Sequence, residues 1–309
     1  MSIREDYREH DCVQERIEAD QLGDSARRHA IQASSIISHL FSVGGDTTCF
    51  DRNTCFVEFG AGRAKLSYYL GVCCPKEAEW SLLLIDKAAA RNKFENKSVV
   101  SECNNLTFHR IQCNIEDLDL REVDAIKRAS TIAFSWKHLC GSATDVALHC
   151  IRQLVESDKL NGTSRKYLIS AAPCCHHRCT WSSFAGLECL EEQGRREAHL
   201  SFSAEEFRLI TALSSWSTCG MLSEGAEKAR RNWTGPLRPE VASMDNSTDF
   251  DERLQMTSNE KEEIGLLCKR LLDFARTRFL QSLGFKANMI HYVDRTVSPE
   301  NLLIRASLN

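Results

Sequence analysis

Three short segments of this 309-residue chain hold side chains that could do chemistry. The first is V-E-F-G-A-G-R-A, Val57 to Ala64. Gly60 permits a tight turn, and Gly62 lets a backbone approach a ligand at the start of a helix. Glu58 just before them is either a ligand-facing carboxylate or a solvated strand end. Asp86, two dozen residues past the glycines, stands where an acidic side chain accepts hydrogen bonds from ribose hydroxyls. Position 65 is Lys, so the full G-x-G-x-x-G motif for a pyrophosphate is absent, which favours a nucleoside ligand without phosphates over a dinucleotide. Asn114, Glu116 and Asp117 fall at a turn suited to contact an adenine; Glu116 or Asp117 serves equally well as a helix N-cap. The other two segments are Ser135-Trp136-Lys137-His138-Leu139-Cys140-Gly141 and Cys174-Cys175-His176-His177-Arg178-Cys179. Polar, titratable residues directly after apolar runs are costly to bury idly. Lys137, His138, His176 and His177 are candidates to take a proton from a weakly acidic hydroxyl, or to lower its pKa as a cation. Which of them takes the proton stays open.

These segments need a scaffold, and the apolar patterning supplies one. Cys55–Gly60, Glu79–Asp86, Leu106–Cys113, Ser130–Trp136 and Tyr167–Ala172 read as five buried strands. Helical spacing separates them over Lys65–Cys73 and Ala143–Val155, which indicates βαβ units and a parallel sheet. Ala26–Phe41 precedes them as an amphipathic helix stopped by Gly44-Gly45. Glu260–Leu283 follows as a long helix with Gly284 at its C-cap. Two closing strands, Lys286–Val293 and Asn301–Ala306, are joined by a Ser298-Pro299 turn. In doubly wound sheets ligands bind beyond the carboxyl ends of the strands, where all three segments fall. The expected fold is α/β and Rossmann-like, with seven mostly parallel strands and an antiparallel last strand. Residues 1–25 are charged without a clear period and are expected to be loosely ordered; residues 26–309 form the folded domain. A stretch at about 223–259 reads as a mobile insertion.

Composition narrows the function. No apolar run approaches the roughly 20 residues of a membrane span, and the charged N-terminus does not resemble a signal peptide, so the expected location is the cytoplasm or nucleus without membrane attachment. Fifteen cysteines are many, and in that setting they read as reduced thiols, mostly packed as small hydrophobes. The net charge of -4 excludes a broadly basic nucleic-acid coat but permits a local basic face. Arg178, Lys269 and Arg270, with Arg276 and Arg278 on the same C-terminal helix, are the candidate phosphate contacts. Adjacent Cys and His in an extended loop point to opposite sides, so one ion could gather about two of them, and no obligate metal is expected.

K-H-L-C-G-x-A-T-D (Lys137 to Asp145) and C-C-H-H-R-C (Cys174 to Cys179) resemble motifs of the Trm13 family of tRNA 2′-O-methyltransferases. So do A-E-E-F with S-S-W-x-x-C-G (Ala204 to Gly220), C-K-R-L-L-D (Cys268 to Asp273) and S-L-G-F-K-A (Ser282 to Ala287). The resemblance covers roughly residues 28–306. It implies the class I methyltransferase fold, S-adenosylmethionine as cofactor, tRNA as partner, and methylation of the ribose of the fourth nucleotide in the acceptor stem. Members of that family usually carry small CHHC-type zinc fingers upstream, whereas here only His10 and Cys12 stand near each other. Two other functions compete: methylation of a protein or small molecule, and a non-catalytic cofactor-binding subunit. Intact Glu58, Gly60, Gly62 and Asp86 argue against the latter.

Overall fold

The computed structural model describes residues 3–44, 50, 53–75, 79–91, 106–198, 202–219 and 256–309. Four strands form the parallel heart of the sheet: β2 (Thr54–Phe59), β3 (Trp80–Asp86), β4 (Leu106–Gln112) and β5 (Thr131–Cys140). With β1 (Arg4–Glu5), β6 (Lys166–Cys174), β7 (Lys286–His291) and β8 (Leu302–Leu308) they make an eight-stranded sheet in the order β1-β7-β8-β6-β5-β2-β3-β4. Among the described residues only β8 runs antiparallel, pairing that way with both β6 and β7. This is the expected class I methyltransferase topology with one extra strand, β1.

Both faces of the sheet are covered, which explains why its strands read as continuous apolar runs rather than as alternation. On one face Cys55, Val57, Phe59, Ile132, Phe134 and Trp136 pack with helix α5 (Ser142–Asn161). Their neighbours Phe56 and Ala133 point to the other face, against α1 (Asp11–Ala19), α2 (Asp24–Gly44) and α3 (Lys65–Val72). Between β4 and β5 lies a short helix, α4 (Asp124–Arg128). After β6, helices α6 (Leu187–Ala198), α7 (Ala204–Ser214) and α8 (Trp216–Cys219) lie beside the long α9 (Ser258–Ser282). Phe184, Leu190, Phe207, Leu272 and Ala275 fill a separate small core there.

Three expectations meet the structure differently. Residues 3–24, expected to be loosely ordered, hold a strand and a helix. β1 pairs in parallel with β7. Val13 and Ile17, one helical turn apart, are buried against α2, and the His10 amide donates to Ser34 Oγ at 2.7 Å. Two apolar residues among so many charges are too few to show a period, yet enough to dock one turn of helix. Second, β5 continues four residues past Trp136, so Lys137 and His138 sit in a strand rather than in a loop. Pairing with β6 is maintained through a bulge at His138, whose φ is +62°. Third, the insertion expected at about 223–259 lies outside the described residues up to 255. Its last residues begin α9, where Thr257 and Glu260 form a reciprocal capping box. Among the described residues no helix is long and apolar enough to cross a membrane.

Candidate active site

The glycine turn follows β2 directly. Gly60 has φ +64°, and a Cβ there would come within 2.8 Å of Leu139, so both backbone and space demand glycine. Gly62 also has positive φ, +50°, but a Cβ there would meet nothing within 4 Å. Open space above a left-handed glycine is what a close-lying ligand needs. The turn is held from three sides. The Ala61 amide donates to the Ile85 carbonyl at 3.0 Å. The Gly62 amide donates to Asp86 Oδ2 at 2.7 Å, and Arg110 Nη1 donates to the Gly62 carbonyl at 3.0 Å. Asp86 also accepts from the Ala88 amide through Oδ1 at 2.7 Å, so each carboxylate oxygen already holds one backbone donor. Its remaining lone pairs are free to accept further hydrogen bonds.

Glu58 is not a solvated strand end. It is buried in β2 and accepts from the Ser67 amide at 3.0 Å and the Ser67 hydroxyl at 2.5 Å. Ser67 stands in the first turn of α3, so this carboxylate lies at the positive end of that helix. At the end of β4, Asn114 occupies the N-cap position of a 3₁₀ turn containing Glu116 and Asp117. Neither acidic residue is therefore the N-cap; Asp117 accepts from the Asn114 amide group at 3.2 Å, and all three are exposed. Parallel register puts Asp86 opposite Gln112 and Phe59 opposite Ile85, so the three turns lie side by side at one end of the sheet.

Lys137 stands on the neighbouring strand. Its Nζ lies 3.0 Å from His29 Nδ1 and donates to the His29 carbonyl at 3.3 Å. Burial and then the Lys65 ammonium push the Lys137 pKa down to about 7, against a smaller opposing pull from Glu58. His29 is itself held below the usual histidine range by partial burial and by Lys137, Lys65 and Arg28. His138 meets His29 edge to face at 6.1 Å; crowding, then Lys137 and His29, also lower its pKa. The Lys137 amine thus lies against His29, whose ring in turn meets that of His138.

Comparison with known proteins gives the family. The family model described as Methyltransferase TRM13 matches residues 31–307. The chain belongs to this family. The human protein named tRNA:m(4)X modification enzyme TRM13 homolog is 28% identical over 93% of this chain and 66% of its own length. The tRNA:m(4)X modification enzyme TRM13 of Saccharomyces cerevisiae is 30% identical, over 90% of this chain and 62% of its own. The chain thus spans somewhat under two thirds of the length of these two relatives. Among solved structures, geranyl diphosphate C-methyltransferase from Streptomyces coelicolor A3(2) is similar over 74% of this chain and 82% of that one. At 14% identity and a TM-score of 0.31, that likeness adds nothing to the topology.

The second TRM13 motif divides between surface and core. His176 is buried, and its Nε2 lies 2.8 Å from Asp273 Oδ2 in α9. Asp273 also accepts from Arg276 Nη1 at 2.9 Å, and Arg276 reaches Asp145 in α5 through Nε (2.9 Å) and Nη2 (2.7 Å). Burial alone would raise the Asp273 pKa; His176 and Arg276 outweigh it and hold it below 3.8. His176 thus faces the core rather than the open end of the sheet. It ties the end of β6 to α9. His177 and Arg178 remain exposed beside it. Gly141, φ +56°, lets the two motifs touch: a Cβ there would lie 2.6 Å from Arg178 Cβ. The expected basic face of α9 shrinks on inspection. Lys269 is buried in an ion pair with Glu300 at 2.7 Å, and Arg276 is fully buried, while Arg270 is half-buried and Arg278 donates to Gln281.

Sequence reasoning missed His29 and Arg110. His29 sits 108 residues from Lys137, in the first turns of α2, and nothing local marks it. Arg110 lies in β4, where alternation predicts a sheet face rather than a grip on the glycine turn.

Proposed function

We propose that this chain methylates the 2′-oxygen of a ribose in the tRNA acceptor stem, at the fourth nucleotide, using S-adenosylmethionine. The names of its relatives and the architecture of the site support this reading. The observation that carries it is Lys137, an amine with pKa about 7 beside the open glycine turn. The residues present fit the cofactor. Gly62 offers unobstructed backbone, Asp86 has lone pairs for ribose hydroxyls, and the Asn114–Asp117 turn stands where an adenine would lie. When bound, S-adenosylmethionine supplies a methyl group already attached to a good leaving group, so the protein's work is positioning and proton removal.

A ribose hydroxyl is a very weak acid, and a base with pKa near the working pH is well matched to it. Lys137, half neutral near pH 7, takes the 2′-hydroxyl proton as that oxygen attacks. His29 orients the amine: with Nδ1 unprotonated it accepts one N–H, which leaves the lysine lone pair for the substrate. His177 and Arg178 stand at the adjoining strand end and meet the nucleic-acid backbone. An A-form stem displays its 2′-hydroxyls across a shallow groove, so shape and phosphates rather than base edges guide binding.

The test is direct. Unmodified tRNA is incubated with the chain and labelled S-adenosylmethionine, and alkali-resistant linkages are mapped. The expected result is one resistant linkage in the acceptor stem, because a methylated 2′-oxygen cannot attack the neighbouring phosphate. A methyl group on a base, on protein, or on nothing refutes the reading.

A further inference from the structure

Three thiols converge where β5 and β6 end. Cys140 closes β5, Cys174 closes β6 as its register partner, and Cys175 follows. The Cys174 and Cys175 sulfurs lie 3.5 Å and 3.3 Å from Cys140 Sγ, and all three lie within 4.8 Å of one another. Such convergence is not what the sequence predicts, since consecutive side chains of an extended strand point to opposite sides. Two departures of the backbone produce it. Cys175 has φ +52° and ψ +45°, the left-handed conformation that non-glycine residues avoid, and this folds its side chain back toward that of Cys174. His138, at φ +62°, forms the bulge that moves Cys140 from opposite Cys175 to opposite Cys174. Left-handed backbone at one member of the cluster, Cys175, and at His138 two residues before another signals a constraint on that cluster.

We propose that Cys140, Cys174 and Cys175 bind a thiophilic metal ion, Zn²⁺ in particular. Tetrahedral zinc with bonds of about 2.3 Å to sulfur spaces its sulfurs about 3.8 Å apart. The two separations from Cys140 Sγ, 3.5 and 3.3 Å, fall within about 0.5 Å of that spacing. Binding forms three Zn–S bonds, releases three thiol protons to solvent, and leaves the fourth position for a water molecule or a substrate atom. Cys174 is buried while Cys140 and Cys175 are half-buried, which gives both a dry site and a path of entry. The ion would clamp the two strand ends that carry Lys137 and His177. The proposal is independent of which substrate the enzyme methylates.

The experiment uses the whole chain, purified reduced and anaerobically, stripped of metal and then given zinc or cobalt. Expected are one tightly held zinc per chain by elemental analysis and intense near-ultraviolet sulfur-to-cobalt charge-transfer bands in the Co²⁺ form. Cys140→Ser and Cys175→Ser each weaken zinc at least tenfold in competition with a chelating dye, whereas Cys189→Ser in α6 leaves it unchanged. Should a variant fail to fold by circular dichroism, alkylation of the native chain decides: zinc protects Cys140, Cys174 and Cys175 when modified thiols are mapped by mass spectrometry. A folded, reduced chain that holds no zinc overturns the proposal. So does zinc bound equally well by Cys140→Ser, or equal alkylation of the three thiols with and without the metal.

Discussion

Lys137 in β5 and Asp86 at the end of β3 stand at the same end of the sheet with β2 between them, and they are proposed to serve different halves of the reaction. Because burial and Lys65 bring the Lys137 pKa to about 7, the accepting form gains population as pH rises through 7. The predicted kcat/KM therefore climbs across that range and then levels; a decline instead would assign Lys137 a cationic role. Lys137→Ala and Lys137→Arg should both lower turnover by roughly 10²–10⁴-fold, the usual worth of a positioned base, since a guanidinium keeps its proton. Cofactor affinity, measured by calorimetry, should stay within a few-fold. Asp86→Ala should weaken cofactor binding by about 1–3 kcal/mol through lost charge-assisted hydrogen bonds. It also frees the Gly62 amide, so an unchanged affinity in a folded variant would remove Asp86 from the site. At this scale position was legible where it depends on a residue's own strand: Gly60 and Asp86 stand at the carboxyl ends of β2 and β3. The sequence did not reveal that His176 faces inward, because a histidine beside an exposed histidine carries no sign of which one turns to the core. It was silent on His29, whose partner is brought to it only by the packing of α2 over the sheet.

The elements are held together around the site by one buried ionic chain, Asp145–Arg276–Asp273–His176, which joins α5, α9 and the end of β6. Arg276 neutralises two fully buried carboxylates. Arg276→Met should therefore destabilise the fold by about 3–5 kcal/mol near neutral pH, read from denaturant midpoints. The sign of the pH dependence follows from Asp273. Its folded pKa is depressed, so its contribution is present above the unfolded value and is lost as pH falls through the folded one. In the variant that depression is reduced, and the gap from the native chain should narrow as pH drops below about 4. At the other end of the chain, Val13→Asp should lower the melting temperature by several degrees, because α1 docks on α2 through Val13 and Ile17. Strands and helices with long apolar runs were readable within a few residues. What escaped was any element defined by its partner: two-residue β1, short α1, and the last four residues of β5.

As a whole the molecule carries net charge -4 and yet is proposed to grip a polyanion, which confines the contact to a small face containing Arg178. Neutralising about three phosphates would cost roughly fortyfold in tRNA affinity between 50 and 200 mM salt, and Arg178→Ala should reduce the slope of log affinity against log salt by about one. A salt-independent affinity would show that some other surface does the binding. The fold class was legible because five strands alternate with helices. The eighth strand was not, because β1 is a strand only by virtue of lying beside β7. The reversed direction of β8 has a practical consequence for the bench. Leu308 pairs with Tyr167 at the start of β6, seven residues and roughly 23 Å of strand from Cys174 at the catalytic end. A fluorophore or biotin attached beside Leu308 would therefore sit at the far rim of the sheet, leaving the end proposed to meet tRNA unobstructed for measurements on a tethered surface.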